Sequence, residues 1–255
     1  MRLLSFSFLV FFVAFVSAQM PSSDQAIFRI DKSQLAGENL TLKQNKDDPS
    51  NAYYQAKVYD GEELAVFLVA LSNVSNEFES FPLEEFIFWI NGKARVEPSS
   101  GEVFEIHAGD YFIQPKGFKG TFNFVGGDPY HLELAVVSKT RANAEDFSPI
   151  NKAMVVSRDI ISGASKNHTD SINSLYKGVE LTLDLVRKKK ILFQNNPQER
   201  IVHVLNGVLA ITPQNQAAQL FYPGDFFILP KGFNGSWESE GFQALRTFQV
   251  YGVKD

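Results

Sequence analysis

One stretch of this chain occurs twice, and the duplication constrains the fold more than any other feature of the sequence. Ala108-Gly-Asp-Tyr-Phe-Ile-Gln-Pro-Lys-Gly-Phe-Lys-Gly-Thr-Phe122 aligns without a gap on Pro223-Gly-Asp-Phe-Phe-Ile-Leu-Pro-Lys-Gly-Phe-Asn-Gly-Ser-Trp237. At the same interval, Pro82-Leu-Glu-Glu-Phe-Ile-Phe-Trp-Ile-Asn-Gly92 aligns on Pro197-Gln-Glu-Arg-Ile-Val-His-Val-Leu-Asn-Gly207. Regular self-similarity marks a folding unit that has been copied. Within each copy, runs rich in Phe, Ile, Val and Tyr are punctuated by Asn-Gly, Gly-Asp and Pro-Lys-Gly, the pattern of short strands between tight turns. Asn91-Gly92 and Asn206-Gly207 close one strand, and Pro115 and Pro230 end another, because proline cannot donate to a ladder. The expectation is an all-β chain of two sandwiches or jelly-roll barrels. The 255 residues are 44% hydrophobic, enough for each copy to bury its own core.

The first 18 residues read as a leader. Arg2 precedes an apolar run from Phe8 to Val16, and Val16-Ser17-Ala18 suits signal peptidase, so cleavage after Ala18 would leave Gln19 first and place the protein outside the cell. The apolar run is too short to span a bilayer and no second run follows. The layout expected is a leader over 1–18, a first domain over 19–140, a linker over 141–174 that holds a short helix between Ala142 and Met154, and a second domain over 175–255. With no cysteine, the fold must rest on its core, and thiolate chemistry is excluded. Four sequons, at Asn39, Asn73, Asn167 and Asn234, are glycosylation acceptors in a eukaryotic host. The 24 Lys and Arg are outnumbered by 29 Asp and Glu, which argues against nucleic acid or an anionic membrane as partner. A small molecule is the expected partner, and a homodimer stays open.

The duplicated motifs resemble those of the cupin superfamily, whose first motif ends in Glu, six residues and Gly, and whose second reads Gly, five residues, Pro-x-Gly, two residues, His. Glu85 stands seven before Gly92, and Gly109 leads to Pro115-Lys116-Gly117; Gly224 and Pro230-Lys231-Gly232 repeat the second pattern. The wording Gly-Asp-x-Phe-x-x-Pro-Lys-Gly-Phe-x-Gly is most similar to the (S)-ureidoglycine aminohydrolase and ethanolamine-utilisation cupins. The resemblance implies two tandem cupin jelly-roll barrels packed as an intramolecular pair. It also implies four metal-ligand positions per barrel. These fall on Glu79, Phe81, Glu85 and Gly120 in the first copy, and on Gln194, Asn196, Arg200 and Gly235 in the second. Neither set offers the imidazole and carboxylate donors that hold a transition metal, and Arg200 places a fixed positive charge at a ligand position. No metal and no other cofactor is expected. The glycines at the fourth position would leave room inside each barrel.

Three residues, Glu79, Glu85 and His131, are the candidates for acid/base chemistry, since two carboxylates sharing a buried site push one pKa upward. The plainer reading of Glu85 is a barrel-mouth residue bonded to backbone or to a nearby cation. Arg200 is a candidate clamp for a ligand carboxylate; alternatively it pairs with Glu199 or with the other domain. Arg246, read as the counterpart of His131, together with Trp237 and Phe122, completes the candidate ligand-binding set, although most of the aromatic residues must be core. His203, in an otherwise apolar strand, reads as a core or interdomain histidine. Binding of a small organic molecule in a barrel without a metal is the leading expectation. A metal-independent isomerase, cyclase or hydrolase is the alternative, and a structural or storage role is a third.

Overall fold

The computed structural model describes residues 26–44, 52–72, 74–125, 131–148, 154–156 and 170–253. The expected leader and the sequons at Asn73 and Asn167 lie outside the described residues. The strands are, in order, β1 (Phe28–Ile30), β2 (Thr41–Gln44), β3 (Ala52–Asp60), β4 (Leu64–Leu71), β5 (Ser75–Phe78), β6 (Glu85–Asn91), β7 (Lys93–Pro98), β8 (Phe104–His107), β9 (Tyr111–Gln114), β10 (Gly120–Val125), β11 (His131–Ser138) and β12 (Met154–Val156). There follow β13 (Ser171–Lys177), β14 (Leu181–Arg187), β15 (Lys190–Phe193), β16 (Arg200–Asn206), β17 (Val208–Pro213), β18 (Gln219–Phe221), β19 (Phe226–Leu229), β20 (Gly235–Glu240) and β21 (Arg246–Gly252). A single four-residue helix, α1 (Lys32–Leu35), interrupts them among the described residues. No helix forms over 142–148 of the segment expected to hold one, and Met154 instead opens a strand.

Each copy makes a large sheet and a small one. In the first, the order β12-β9-β6-β11-β4-β3-β2 faces β5-β10-β7-β8; in the second, β1-β19-β16-β21-β14-β13 faces β15-β20-β17-β18. Side chains alternate across a strand, so each large sheet has two apolar faces to cover. Ile87 and Trp89 of β6, with Phe112, Phe122 and Phe124, point inward and fill the first barrel. Val202, Val204, Phe227 and Trp237 do the same in the second. The opposite faces, carrying Leu64, Val66, Leu68 and Phe86 from the first copy and Leu181, Leu183, Leu185 and Phe248 from the second, meet in a third core between the barrels. Strands this apolar on both faces are what an alternation-based reading of a half-exposed sheet would miss.

Two short arms cross between the copies. β1 adds antiparallel to β19 of the second barrel, and β12 adds antiparallel to β9 of the first. The arm that precedes each copy therefore edges the other copy's large sheet. Residues 28–30, expected within the first domain, and 154–156, expected within the linker, thus belong by hydrogen bonding to barrels other than the sequence order suggests.

Two carboxylates lock the barrels together in a reciprocal pattern. Glu84, fully buried just before β6, accepts from the backbone N–H groups of Val179, Glu180 and Leu181 at 3.0, 2.8 and 2.8 Å, from Tyr176 Oη at 2.6 Å and from Ser148 Oγ at 2.5 Å. Its counterpart Glu199, just before β16, accepts from the N–H groups of Glu63 and Leu64 at 2.8 Å each and from the hydroxyl of Tyr59. The backbone N–H of Glu84 returns a bond to Glu180, and that of Glu199 one to Glu63. Each carboxylate lies against a glycine of the facing turn: a Cβ on Gly61 would stand 2.0 Å from Glu199 Oε1, and one on Gly178 2.1 Å from Glu84 Oε1. Glu199 thus bonds to the other barrel and not to Arg200.

Candidate functional site in the barrel interiors

The inner face of the first large sheet carries an unusual group of polar side chains. Glu85 opens β6 and stands opposite Gln114 of β9 on one side and Val137 of β11 on the other. Further along the same face, Glu133 of β11 stands opposite Trp89. Two residues before it, His131 lies between the rings of Trp89 and Phe124, with centroids 4.3 and 4.7 Å away. His131 Nε2 is 3.2 Å from Glu133 Oε2, outside hydrogen-bonding geometry. Both ring nitrogens of His131, Trp89 Nε1 and Gln114 Nε2 are buried with no hydrogen-bond partner. Burial without a partner is costly for each such atom, and here four of them sit on one face of one barrel. Burial, reinforced by the neighbouring Glu133 and opposed by Arg141, pushes Glu85 up to about 8, so it keeps its proton at neutral pH. A protonated carboxyl both donates and accepts.

The second barrel has different chemistry at the matching place. Arg200 opens β16, donates from Nη1 to Gln249 Oε1 at 2.8 Å, and lies over the ring of Tyr251 at 5.4 Å. Tyr251 in turn donates to Asp184 Oδ2 at 2.7 Å; burial, then this bond, pushes its hydroxyl up to about 12. Thr247, fully buried on the same inner face, leaves its Oγ1 without a partner, as Arg200 does its Nε.

Several expectations are corrected. Glu79 follows β5 on the surface, its side chain 76% exposed and paired with Lys119. Trp237 is fully buried in the second core, donating from Nε1 to Lys188 O at 3.3 Å, and Phe122 is packed among Phe78, Phe112, Phe118 and Phe124. Both are packing residues. Arg246 is not the counterpart of His131: Leu132 pairs with Asn91 where Arg246 pairs with Asn206, and Glu133 pairs with Trp89 where Thr247 pairs with Val204. The second copy is one residue shorter before its last strand, and a one-residue slip turns every side chain to the other face. Arg246 therefore shares the outward face of Phe248, and Leu245, buried in the second core, takes the place of His131. The glycines at the fourth ligand position leave no room: a Cβ on Gly120 would stand 2.4 Å from Glu97 O, and one on Gly235 2.4 Å from Thr212 O. His203 faces the other barrel, 2.5 Å from Tyr111 Oη and stacked on Phe226, and its burial pushes it down to about 3.

Of the eight ligand positions named from the motifs, Glu85 and Arg200 turn a side-chain donor group to a barrel interior, and Asn196 buries an unpartnered Oδ1. Phe81 packs against Phe78, Gln194 is exposed, and Asn196 donates to the Gln198 and Pro230 carbonyls. Among the described residues no three His, Asp or Glu side chains converge closely enough to hold an ion. The residues present do not fit the metal centre that the fold can carry. Glu133 and Gln114 were legible in principle, since alternation from His131 and pairing from Glu85 place them on this face. The unpartnered Trp89 Nε1 and Thr247 had no sequence signal.

The fold class is a tandem cupin jelly roll. The model of the EutQ-like cupin domain matches the chain in two segments, residues 69–125 and 193–244, one in each barrel. No curated protein matches the sequence significantly. Among solved structures, a Cupin 2 conserved barrel domain protein from Leptotrichia buccalis superposes with a TM-score of 0.58 at 11% identity, covering 88% of this chain and 96% of that one. A mutant salicylate 1,2-dioxygenase from Pseudoaminobacter salicylatoxidans, in complex with gentisate, gives 0.59 at 11% identity, covering 92% and 84%. Streptomyces albus HEPD, with 2-hydroxyethylphosphonate and Fe(II) bound, gives 0.57 at 9% identity, covering 92% and 77%. At these identities the likeness is one of fold.

Proposed function

We propose that this chain is a secreted bicupin that binds a small organic molecule inside its first barrel without a transition metal. The observation that carries the reading is the set of unpartnered buried polar atoms on one inner face: Trp89 Nε1, Gln114 Nε2 and both nitrogens of His131, beside Glu85 and Glu133. Apolar, aromatic surroundings with a few polar groups turned inward are the usual lining of a small-molecule site. A ligand offering acceptors to Trp89 and Gln114 and a polar group to Glu85 would satisfy atoms that the protein leaves bare. The kinship that fits the motif wording is with the (S)-ureidoglycine aminohydrolase type of cupin, its metal positions replaced.

The test is native mass spectrometry of the chain purified from a secretory host, followed by thermal-shift screening against a metabolite set. A retained organic adduct, lost in both Glu85→Gln and Trp89→Phe, supports the reading. Wild-type protein that carries no adduct and is shifted by no compound overturns it. The same preparation tests secretion: the expected first residue is Gln19, with glycan on the exposed Asn39 in a eukaryotic host.

Acid/base catalysis is the second reading, favoured by Glu85 held near 8 beside Glu133. A carboxyl poised near the working pH can give a proton and take it back. Turnover of a bound compound, abolished in Glu85→Gln with binding kept, would select it.

A further inference from the structure

We propose that the second barrel is a separate anion site in which Arg200 holds the carboxylate of a small organic molecule. The inference does not rest on the reading of the first barrel. Arg200 stands where a cupin metal ligand would stand, and the group it brings is a cation, so the ligand it suits has the opposite charge to a metal. Its contacts are Gln249 and the face of Tyr251; among the described residues no carboxylate lies within ion-pair distance of it. The nearest acid, Asp184, has its Oδ2 engaged by Tyr251. A guanidinium largely removed from water, with Asp184 as a counter-charge that does not touch it, is an incompletely satisfied group.

The geometry also selects the kind of anion. Nη1 is taken by Gln249, whereas Nε is buried and bare. The edge left over, Nε with Nη2, is the fork that takes a planar carboxylate by two parallel bonds. Thr247 Oγ1, on the same inner face and also bare, is available as a further donor. A phosphate dianion fits less well, because the Asp184 carboxylate faces this interior from β14 and one guanidinium cannot balance two added charges.

The experiment titrates the full mature chain, labelled with nitrogen-15, with benzoate, butyrate and inorganic phosphate, and follows the arginine side-chain Nε–H signals. The expected result is a saturable shift of the Arg200 signal with at least one carboxylate, a dissociation constant raised tenfold or more in Arg200→Gln, a partial loss in Arg200→Lys and a several-fold loss in Thr247→Val. Lys119→Ala, on the surface, leaves it unchanged. The wild-type signal reports the site directly, so the proposal stays testable if Arg200→Gln does not fold. No shift with either carboxylate, or equal affinity in the folded Arg200 variants, overturns the proposal. Phosphate alone shifting the signal overturns the carboxylate assignment.

Discussion

Glu85 is the residue on which the pH behaviour of the first barrel turns. Its carboxyl holds its proton to about 8 in the folded chain, whereas in the unfolded chain it ionises in the ordinary carboxylate range. Between those values the folded state binds more protons, so its contribution to stability is fully present below the ordinary range and is lost as pH rises through 8. Wild type should lose stability relative to Glu85→Gln over pH 5 to 8, with a slope of at most about 1.4 kcal/mol per pH unit; urea denaturation of both proteins across that range checks it. His203 works in the opposite sense. Its folded pKa lies below the unfolded one, so it lowers stability as pH falls below about 6.5. At this scale the motif spacing was sufficient to place Glu85 and Arg200 inside their barrels. It misplaced Glu79, because the chain leaves the sheet after Phe78, and it misaligned Arg246, because a missing residue upstream leaves no trace in an ungapped motif further back.

The elements that hold the barrels together are turns and arms, and they were the least legible part of the chain. The turn before β4 and the turn before β14 each present two or three backbone N–H groups to a carboxylate from the other barrel. Removing either carboxylate strands those donors in a buried place. Glu84→Ala and Glu199→Ala should each destabilise the chain by about 3 kcal/mol or more. Gly61→Ala and Gly178→Ala should act through the same contacts, since the added methyl would occupy the carboxylate's position. Thermal melts of the four variants check both statements, and four near-wild-type melting points would contradict them. Only the repeat distinguishes Glu84 from Glu85, its neighbour: Glu84 aligns on Glu199, whereas Glu85 aligns on Arg200. One residue of strand alternation sends the first to the other barrel and the second into its own. The arms β1 and β12 were equally hidden, because three-residue strands acquire their order from the sheet they join.

The whole molecule behaves, on this account, as one folding unit. Its third core lies between the barrels and draws equally on both copies, and each copy's large sheet is completed by an arm from outside it. Calorimetry should therefore show a single cooperative transition with matching calorimetric and van't Hoff enthalpies; two resolved transitions would mean that the barrels are stable separately. The tandem all-β architecture was the most legible property of the sequence, because an ungapped repeat of turn motifs leaves few alternatives. The pairing of two doubly apolar sheets was foreseen only through the family resemblance. Retention of the barrels without the donor set of a metal centre is the central claim. The most direct test is inductively coupled plasma mass spectrometry on protein secreted and purified without chelators or affinity metals. The account predicts transition metal far below one ion per chain; about one ion per chain would contradict it.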